Sequence, residues 1–309
     1  MNERSSVRDW AGRGASADNS DASGPEADPA FVCRVCPHTC HLMEGKVGIC
    51  RTRSVRDGCI VSLSYGRSTA LALDPIEKKP LARFRPGSLI LSYGSYGCNM
   101  RCPFCQNSDI SMADAGGIVA DVSRYISPEG LINEAVRLQD CGNIGIAYTY
   151  NEPFIAPEYL MDCAVCARER ELVNVVVTNG YVSPSTWDAA LPLIDALNVD
   201  LKCYSEEGYR SLGAPGGLAA VKRSIEAAAA SGVHVEVTTL VVPGLSDDER
   251  LFTEQCEWLA SVDRSIPLHL SRFFPAYRSH DKRPTDLDVL EQFRTIALSS
   301  LEHVYLGNV

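Results

Sequence analysis

The sequence predicts an α/β fold: a partial, TIM-like (β/α)6 barrel with a small Cys-rich module at its N-terminal side. Three observations predict it. From about Ser88 onward, apolar β-branched runs alternate with helical stripes. Polar residues recur at the C-terminal ends of successive runs, where such barrels carry their chemistry. Before that region, CRVCPHTCHLMEGKVGIC packs cysteines and histidines into one short stretch.

Residues 1–30 read as a disordered tail. They are rich in Ala, Ser, Asp and Gly, and cannot bury enough apolar surface to offset chain entropy. Residues 31–85 form the Cys-rich metal-binding module with its strands. After the cysteines comes CIVSLSYGRSTALAL, whose β-branched and apolar residues predict strands. DPIEKKPLARFRPG then reads as a Pro-punctuated connection.

Residues 86–309 supply the barrel. Its candidate strands are SLILSYG, NIGIAYTY, LVNVVVTN, IDALNVDLK, VHVEVTTLVV, IPLHLSRF and EHVYLG. Between them, Leu131, Ile132, Ala135, Val136 and Leu138 make a helical stripe after Ser127-Pro128, an N-cap followed by Pro at the first helical position. Ser183-Pro184 repeats that signal. Ser246 and Glu249 predict a capping box before Leu251, Phe252, Cys256 and Leu259. Strand–helix alternation implies parallel strands with right-handed crossovers. A doubly wound sheet is the structural alternative.

Composition narrows the function classes. The chain has 309 residues, 45% apolar and 22% charged, as soluble globular proteins do. Its net charge of −10 argues against nucleic acid or an anionic membrane as partner. The N-terminus has no apolar signal region, and no run approaches the roughly 18 apolar residues of a membrane span. A cytoplasmic location is expected, where the 13 cysteines stay reduced and bind metals, do redox chemistry or pack.

The most informative stretch is YGSYGCNMRCPFCQN. Cys98, Cys102 and Cys105 have the spacing Cys-x3-Cys-x2-Cys directly after the first barrel strand. Four cysteines would saturate a cubane 4Fe–4S cluster, whereas three leave one iron open to a reactant. Gly94 and Gly97 let the loop wrap a bulky cofactor, and Phe104 offers an apolar face to a planar base. A zinc knuckle is the competing interpretation, but structural zinc takes four ligands. Asn151 and Glu152, then Thr178 and Asn179, then Asp200 and Lys202, and finally His269 are the polar residues at later strand ends. Singly, each also fits a turn, a helix start or a solvated strand end.

Cys33, Cys36, Cys40 and Cys50 form a second metal-binding set, with His38 and His41 as substitutes. Structural zinc suits four closed ligands and would staple a module with little core; an auxiliary iron–sulfur cluster is the other fit. Cys163 and Cys166 lie in a helical pattern and are expected to pack. Cys59, Cys141, Cys203 and Cys256 are isolated and are expected to be structural.

Cys98-Asn99-Met100-Arg101-Cys102-Pro103-Phe104-Cys105 resembles the signature of the radical S-adenosylmethionine (SAM) superfamily. The chain is similar to pyruvate formate-lyase activating enzymes. It resembles more closely the radical SAM component of the AmmeMemoRadiSam system, through CRVCPHTCHLMEGKVGIC, DPIEKKPL, GCNMRCPFCQN, YTYNEP, VPGLSDDE, HLSRFFPAY and VYLGNV. The resemblance covers nearly everything after residue 30. It implies a 4Fe–4S cluster whose open iron chelates SAM, and reductive cleavage of SAM to methionine and a 5′-deoxyadenosyl radical that abstracts hydrogen from substrate. It assigns Glu152 to the SAM amino group and Lys202, in the Asp200-Leu201-Lys202 element, to the carboxylate. Phe104 and Gln106 would flank adenine, and His269 would approach the cofactor. Asn151, Thr178 and Asn179 would line the same site. The sequence departs from the activating enzymes where Tyr150 and Asn151 precede Glu152 in place of two glycines, and where Val177 replaces an Asp. The closer family often continues past Leu-Gly-Asn-Val into a Cys-rich tail, where this chain stops at Val309.

The expected activity is therefore radical SAM chemistry on an unidentified substrate. A flavodoxin or ferredoxin would be the reductant, with the other AmmeMemoRadiSam components as further partners. Activation of a glycyl-radical enzyme is the alternative, and a non-catalytic metal-binding interaction module is the alternative from another class. The basic loop with Arg272, Arg278, Lys282 and Arg283 is either solvated or recognises an acidic or phosphorylated substrate.

Overall fold

The strands form one main sheet in the order β14-β13-β12-β11-β10-β9-β7-β6, seen in a computed structural model that describes residues 31–309. The tail expected at residues 1–30 lies outside the described residues. In chain order the strands are β1 (Phe31–Val32), β2 (His41–Leu42), β3 (Arg53–Arg56), β4 (Cys59–Ser62), β5 (Arg67–Ser68), β6 (Ala70–Pro75), β7 (Leu89–Gly94), β8 (Arg124–Tyr125), β9 (Asn143–Tyr148), β10 (Val173–Thr178), β11 (Ala196–Asp200), β12 (His234–Val241), β13 (Leu268–Arg272) and β14 (Val304–Gly307).

From β7 to β14 the seven main-sheet strands are parallel, and they are the seven runs marked out by apolar periodicity. Their spatial order follows their chain order. Each crossover therefore steps the same way and leaves its helix on the same face, as in a barrel. A doubly wound sheet would reverse at a switch point, and this one does not. The sheet stays open, with β14 and β6 as its edges. The edge strand β6, expected with the Cys-rich segment, pairs antiparallel with β7 along its whole length.

Strand residues alternate between two apolar layers. Ile146, Tyr148, Val176, Leu197 and Val199 pack with helix residues such as Leu131, Leu160, Trp187 and Val221. Ala147, Val173, Val175 and Ala196 face the other way, against Ile76, Leu81 and Phe84. The Pro-punctuated connection is thus a strap laid across the face opposite the helices. Polar bonds fix it: Asn198 Nδ2 donates to Pro80 O at 2.8 Å, and the amides of Ala82 and Arg83 donate to Glu236 at 2.9 and 2.8 Å.

Local signals have mixed outcomes. Ser127 caps the helix Pro128–Arg137, accepting from Gly130 N. Ser183 precedes the helix Pro184–Ala190, but its hydroxyl turns to the carbonyls of Arg34 and Val35 in the Cys-rich segment. The Ser246–Glu249 capping box does not form. Asp248 caps that helix, Glu249–Asp263, by accepting from Leu251 N, while Ser246 accepts from Val242 N within the preceding turn. Cys163, Cys203 and Cys256 are buried, whereas Cys59 and Cys141 are exposed. No helix among the described residues is long and apolar enough to cross a membrane.

The Cys-rich segment builds two small hairpins, β1–β2 and β3–β4, on a core of Cys33, Val35, Leu42 and Val55. So small a core leaves it dependent on the sheet it leans against.

Candidate active site

The loop after β7 presents Cys98, Cys102 and Cys105 to a cavity of about 330 Å³ at the C-terminal ends of the parallel strands. Gly97 begins the loop at φ +87°, where a Cβ would come within 2.5 Å of Thr52 and 2.8 Å of the Cys50 carbonyl. Only glycine allows that conformation and that approach without strain. Gly94 has a different task from the expected wrapping: a Cβ there would meet the Tyr150 ring at 2.7 Å.

Asn99 anchors the thiol loop from behind. It is 1% exposed; its Nδ2 donates to Tyr181 O at 2.8 Å, and its Oδ1 accepts from Asn179 Nδ2 at 2.8 Å. Asn179 Nδ2 also lies 3.7 Å from Cys98 Sγ. Burial pushes the Cys98 thiol well up, helped by the Glu152 charge, and takes Cys102 to about 11. Thiols so crowded ionise readily only when a cation shares their charge.

Glu152 is 2% exposed and follows β9. Its carboxylate accepts from Phe154 N at 3.0 Å, Thr178 Oγ1 at 2.9 Å and Asn179 N at 2.8 Å. Burial lifts its pKa to about 7 against the pull of those donors. Three residues chosen separately at two strand ends therefore form one hydrogen-bonded unit. Asn151 braces the neighbouring loop, accepting from Ser95 N and donating to Gly97 O, both at 3.0 Å. Lys202 Nζ stands 2.7 Å from Asp200 Oδ2. Burial works against its charge, but Asp200 and Cys102 hold its pKa above the usual lysine value.

Phe104, Gln106, Asn151, Glu152, Thr178, Asn179, Asp200 and Lys202 all line the cavity with the three thiols. His269 does not. It sits one step lower on β13, with Nε2 2.6 Å from Glu236 Oε2 and its ring stacked on Tyr305 at 5.2 Å. Residues two apart on a strand face the same way but are displaced by about 6.6 Å. Ser271 reaches the cavity in its place. Sequence reasoning missed Lys78, Lys79 and Tyr150 as wall residues. The adjacent lysines in a short turn were the available signal.

In the second cysteine set, Cys33, Cys36 and Cys50 are buried and Cys40 is half-buried. Burial raises the thiol pKa values of Cys33 and Cys36, and the neighbouring Cys50 adds to both, so these three thiols lie close together. The segment touches the thiol loop directly: His38 Nε2 is 2.8 Å from Asn99 O, and Cys36 neighbours the Asn99 side chain. The buried Arg53 guanidinium lies beside Cys33 and Cys50 and lowers the Cys33 pKa against the larger effect of burial.

The donor chemistry fits an open cluster. Three soft thiols share a cavity with the buried Glu152 carboxylate and with the Asp200–Lys202 carboxylate–ammonium pair. The chain is similar to several known proteins. An uncharacterised protein of Methanocaldococcus jannaschii is 38% identical over 285 residues, covering 91% of this chain and 82% of that one. The pyruvate formate-lyase-activating enzyme of Clostridium pasteurianum is 25% identical over 177 residues, 55% of this chain and 67% of that one. The fold is shared with a radical SAM methyltransferase from Sphaerobacter thermophilus at TM-score 0.52 and 17% identity, covering 72% and 67% of the two chains. Residues 92–255, which carry the thiol loop and most of the cavity wall, match the Radical SAM superfamily. By this match the chain belongs to the radical SAM superfamily.

Proposed function

We propose that the cavity holds a 4Fe–4S cluster on Cys98, Cys102 and Cys105 with SAM beside it. When bound and reduced, that pair supplies a 5′-deoxyadenosyl radical that takes hydrogen from a substrate. The observation that carries this reading is the convergence of three thiols from one loop with the Glu152 unit and the Asp200–Lys202 pair on one cavity.

The chain's own residues have separable tasks. Glu152, its oxygens already aimed by three donors, accepts the SAM ammonium. Lys202, held upright by Asp200, takes the SAM carboxylate. Phe104, 5% exposed and braced edge-on by Phe273, offers a fixed apolar face to adenine, and Gln106 borders it. Thr178, Asn179 and Asn151 keep Glu152 and the loop in place. The buried walls limit water around a reactive species.

The donor for reduction is a one-electron carrier of the flavodoxin or ferredoxin type, as expected in a reducing cytoplasm. The other components of an AmmeMemoRadiSam system are further candidate partners. Cys33, Cys36, Cys40 and Cys50 would hold a second metal centre, either a structural zinc ion that staples a segment with little core or an auxiliary iron–sulfur cluster. A glycyl-radical partner is a second reading, favoured by the likeness to activating enzymes. A glycyl radical signal on mixing with a candidate partner would support it.

Anaerobic reconstitution tests the main reading. The wild type should turn brown and form 5′-deoxyadenosine from SAM and reductant. Ala at any of Cys98, Cys102 or Cys105 should remove that product and about four irons per chain. Iron content and product both unchanged in those variants would end the proposal. Replacing Cys33 and Cys36 should remove a separate complement of metal; loss of zinc would identify a structural staple, and loss of iron an auxiliary cluster.

A further inference from the structure

The strap carries two lysines into the cavity, and nothing in the SAM assignment uses them. β6 ends at Pro75, a single turn follows over Ile76–Lys78, and Ile76 and Leu81, both 0% exposed, pin the backbone on either side. The backbone that carries Lys78 and Lys79 is thus fixed before any ligand arrives.

Both ammonium groups share one carboxylate. Lys78 Nζ lies 3.3 Å from Asp74 Oδ1 and Lys79 Nζ 2.9 Å from Oδ2. Among the described residues, Asp74 is the only hydrogen-bond acceptor either ammonium has. Two positive charges against one negative leave a surplus of one, at the wall of the cavity that holds the thiols. By contrast, the Asp200–Lys202 pair is balanced one to one. A solvated surface pair would explain Lys78, whose side chain is 67% exposed, but not Lys79, at 3%. Burying an ammonium next to a second one is unfavourable unless anions compensate it. Burial is indeed the main effect on Lys79, and it lowers its pKa.

Tyr150 completes the arrangement at the expense of its own backbone. It is held at φ +70°, a conformation that disfavours a bulky side chain. In that conformation its hydroxyl donates to Asp74 Oδ2 at 2.7 Å and its ring lies 4.8 Å from Lys79 Nζ. Gly94 leaves the space for the ring, and Asn107 Nδ2 holds the Tyr150 carbonyl at 2.8 Å. Those contacts hold Asp74 ionised, well below the usual carboxylate range despite its burial. The strain positions one carboxylate to hold two lysines and leave their remaining N–H groups to a ligand.

We propose that Lys78 and Lys79 form a cationic pole that binds an anionic group of the substrate, a carboxylate or a phosphate, within the cavity of the thiols. The inference rests on the radical SAM reading and names the substrate class that the reading leaves open. The substrate is then an anion whose charged end is held at the strap while its hydrogen-donating carbon reaches the reactive centre.

The test uses the full chain, reconstituted anaerobically, with S-adenosylhomocysteine added to fill the SAM position. Calorimetric titration at low ionic strength uses inorganic phosphate in one arm and acetate in the other. Saturable binding of at least one probe, weakened about 10-fold or more in K78Q and abolished in K78E, supports the pole; a charge-assisted hydrogen bond predicts that range. The arm that binds more tightly identifies the phosphate or the carboxylate. Lys78 is exposed, so both variants should fold, which thermal melting and iron content check. Absence of saturable binding in both arms, or K78Q binding as tightly as wild type, overturns the inference. If the wild type takes up no iron and cleaves no SAM, the earlier reading fails. The same titrations without S-adenosylhomocysteine then still decide for or against the pole.

Discussion

Glu152 shows how a side chain can be legible as a candidate and yet be understood only in three dimensions. In the sequence it is one polar residue after AYTY, next to a Pro, and a helix start explains it equally well. Both explanations hold, because its carboxylate caps the short turn Pro153–Ile155 and also gathers Thr178 and Asn179. Thr178 and Asn179 were visible for the same reason, as polar punctuation at a strand end. His269 was visible too, but its partner, the buried Glu236, is 33 residues away and captures the ring. Linear spacing does not reveal such a partner. If Glu152 holds the SAM ammonium, E152Q removes the charge while nearly preserving shape. SAM should then bind about 10- to 100-fold more weakly, the equivalent of roughly 1.5–3 kcal/mol for a charged hydrogen bond. Iron content should stay at the wild-type level, since no thiol is touched. Equilibrium binding of SAM to reconstituted protein, with iron counted on the same sample, checks both. Undiminished affinity would remove Glu152 from the SAM site.

The strap is the part of the fold least legible in the sequence. Pro75, Pro80 and Pro86 made residues 74–87 look like a connection, and nothing local distinguishes a surface loop from a segment crossing a sheet. The strands, in contrast, were legible, because burial on both faces forces β-branched, apolar runs such as Val173–Thr178. What identifies the strap is Glu236, 0% exposed on β12, which accepts from two strap amides and from His234 and His269. Burial alone would raise its pKa; the two imidazoles and two amides outweigh that and lower it from 4.5 to about 2. A carboxylate depressed in the fold stabilises fully above its unfolded value and loses that contribution as pH falls through the folded one. The window here runs from about 4.5 down to about 2, and the contribution is on the order of 3 kcal/mol. E236Q should therefore be less stable than wild type near neutrality, and the gap should close as the pH falls through that window. Urea unfolding of both proteins across acid pH measures it. A gap that stayed constant would mean that the charge of Glu236 does not help to hold the strap.

Strand content and the barrel-like order follow from patterns repeated along the chain, but the seating of the Cys-rich segment depends on contacts between residues far apart in sequence. Ser183 binds the carbonyls of Arg34 and Val35, His38 binds Asn99 O, and Gly97 meets Thr52 and Cys50. The most directional of these contacts is Arg53 on Glu158. A single guanidinium nitrogen lies 2.6 and 2.7 Å from the two carboxylate oxygens, joining β3 to the helix Pro157–Arg168. The Arg53 side chain is 4% exposed and Glu158 19%, so the pair is largely shielded from water. Removing one partner of a buried pair strands the other charge, a loss of about 3–5 kcal/mol, whereas replacing both with apolar groups recovers much of it. R53M and E158Q should each unfold at markedly lower urea, and R53M/E158L should return most of the way. Because Cys50 and Thr52 back the thiol loop, the single variants should also take up less iron than the double. If each single variant lost less than about 1 kcal/mol, the pair would behave as an exposed bridge, and the segment would be seated on the barrel by its apolar and backbone contacts instead.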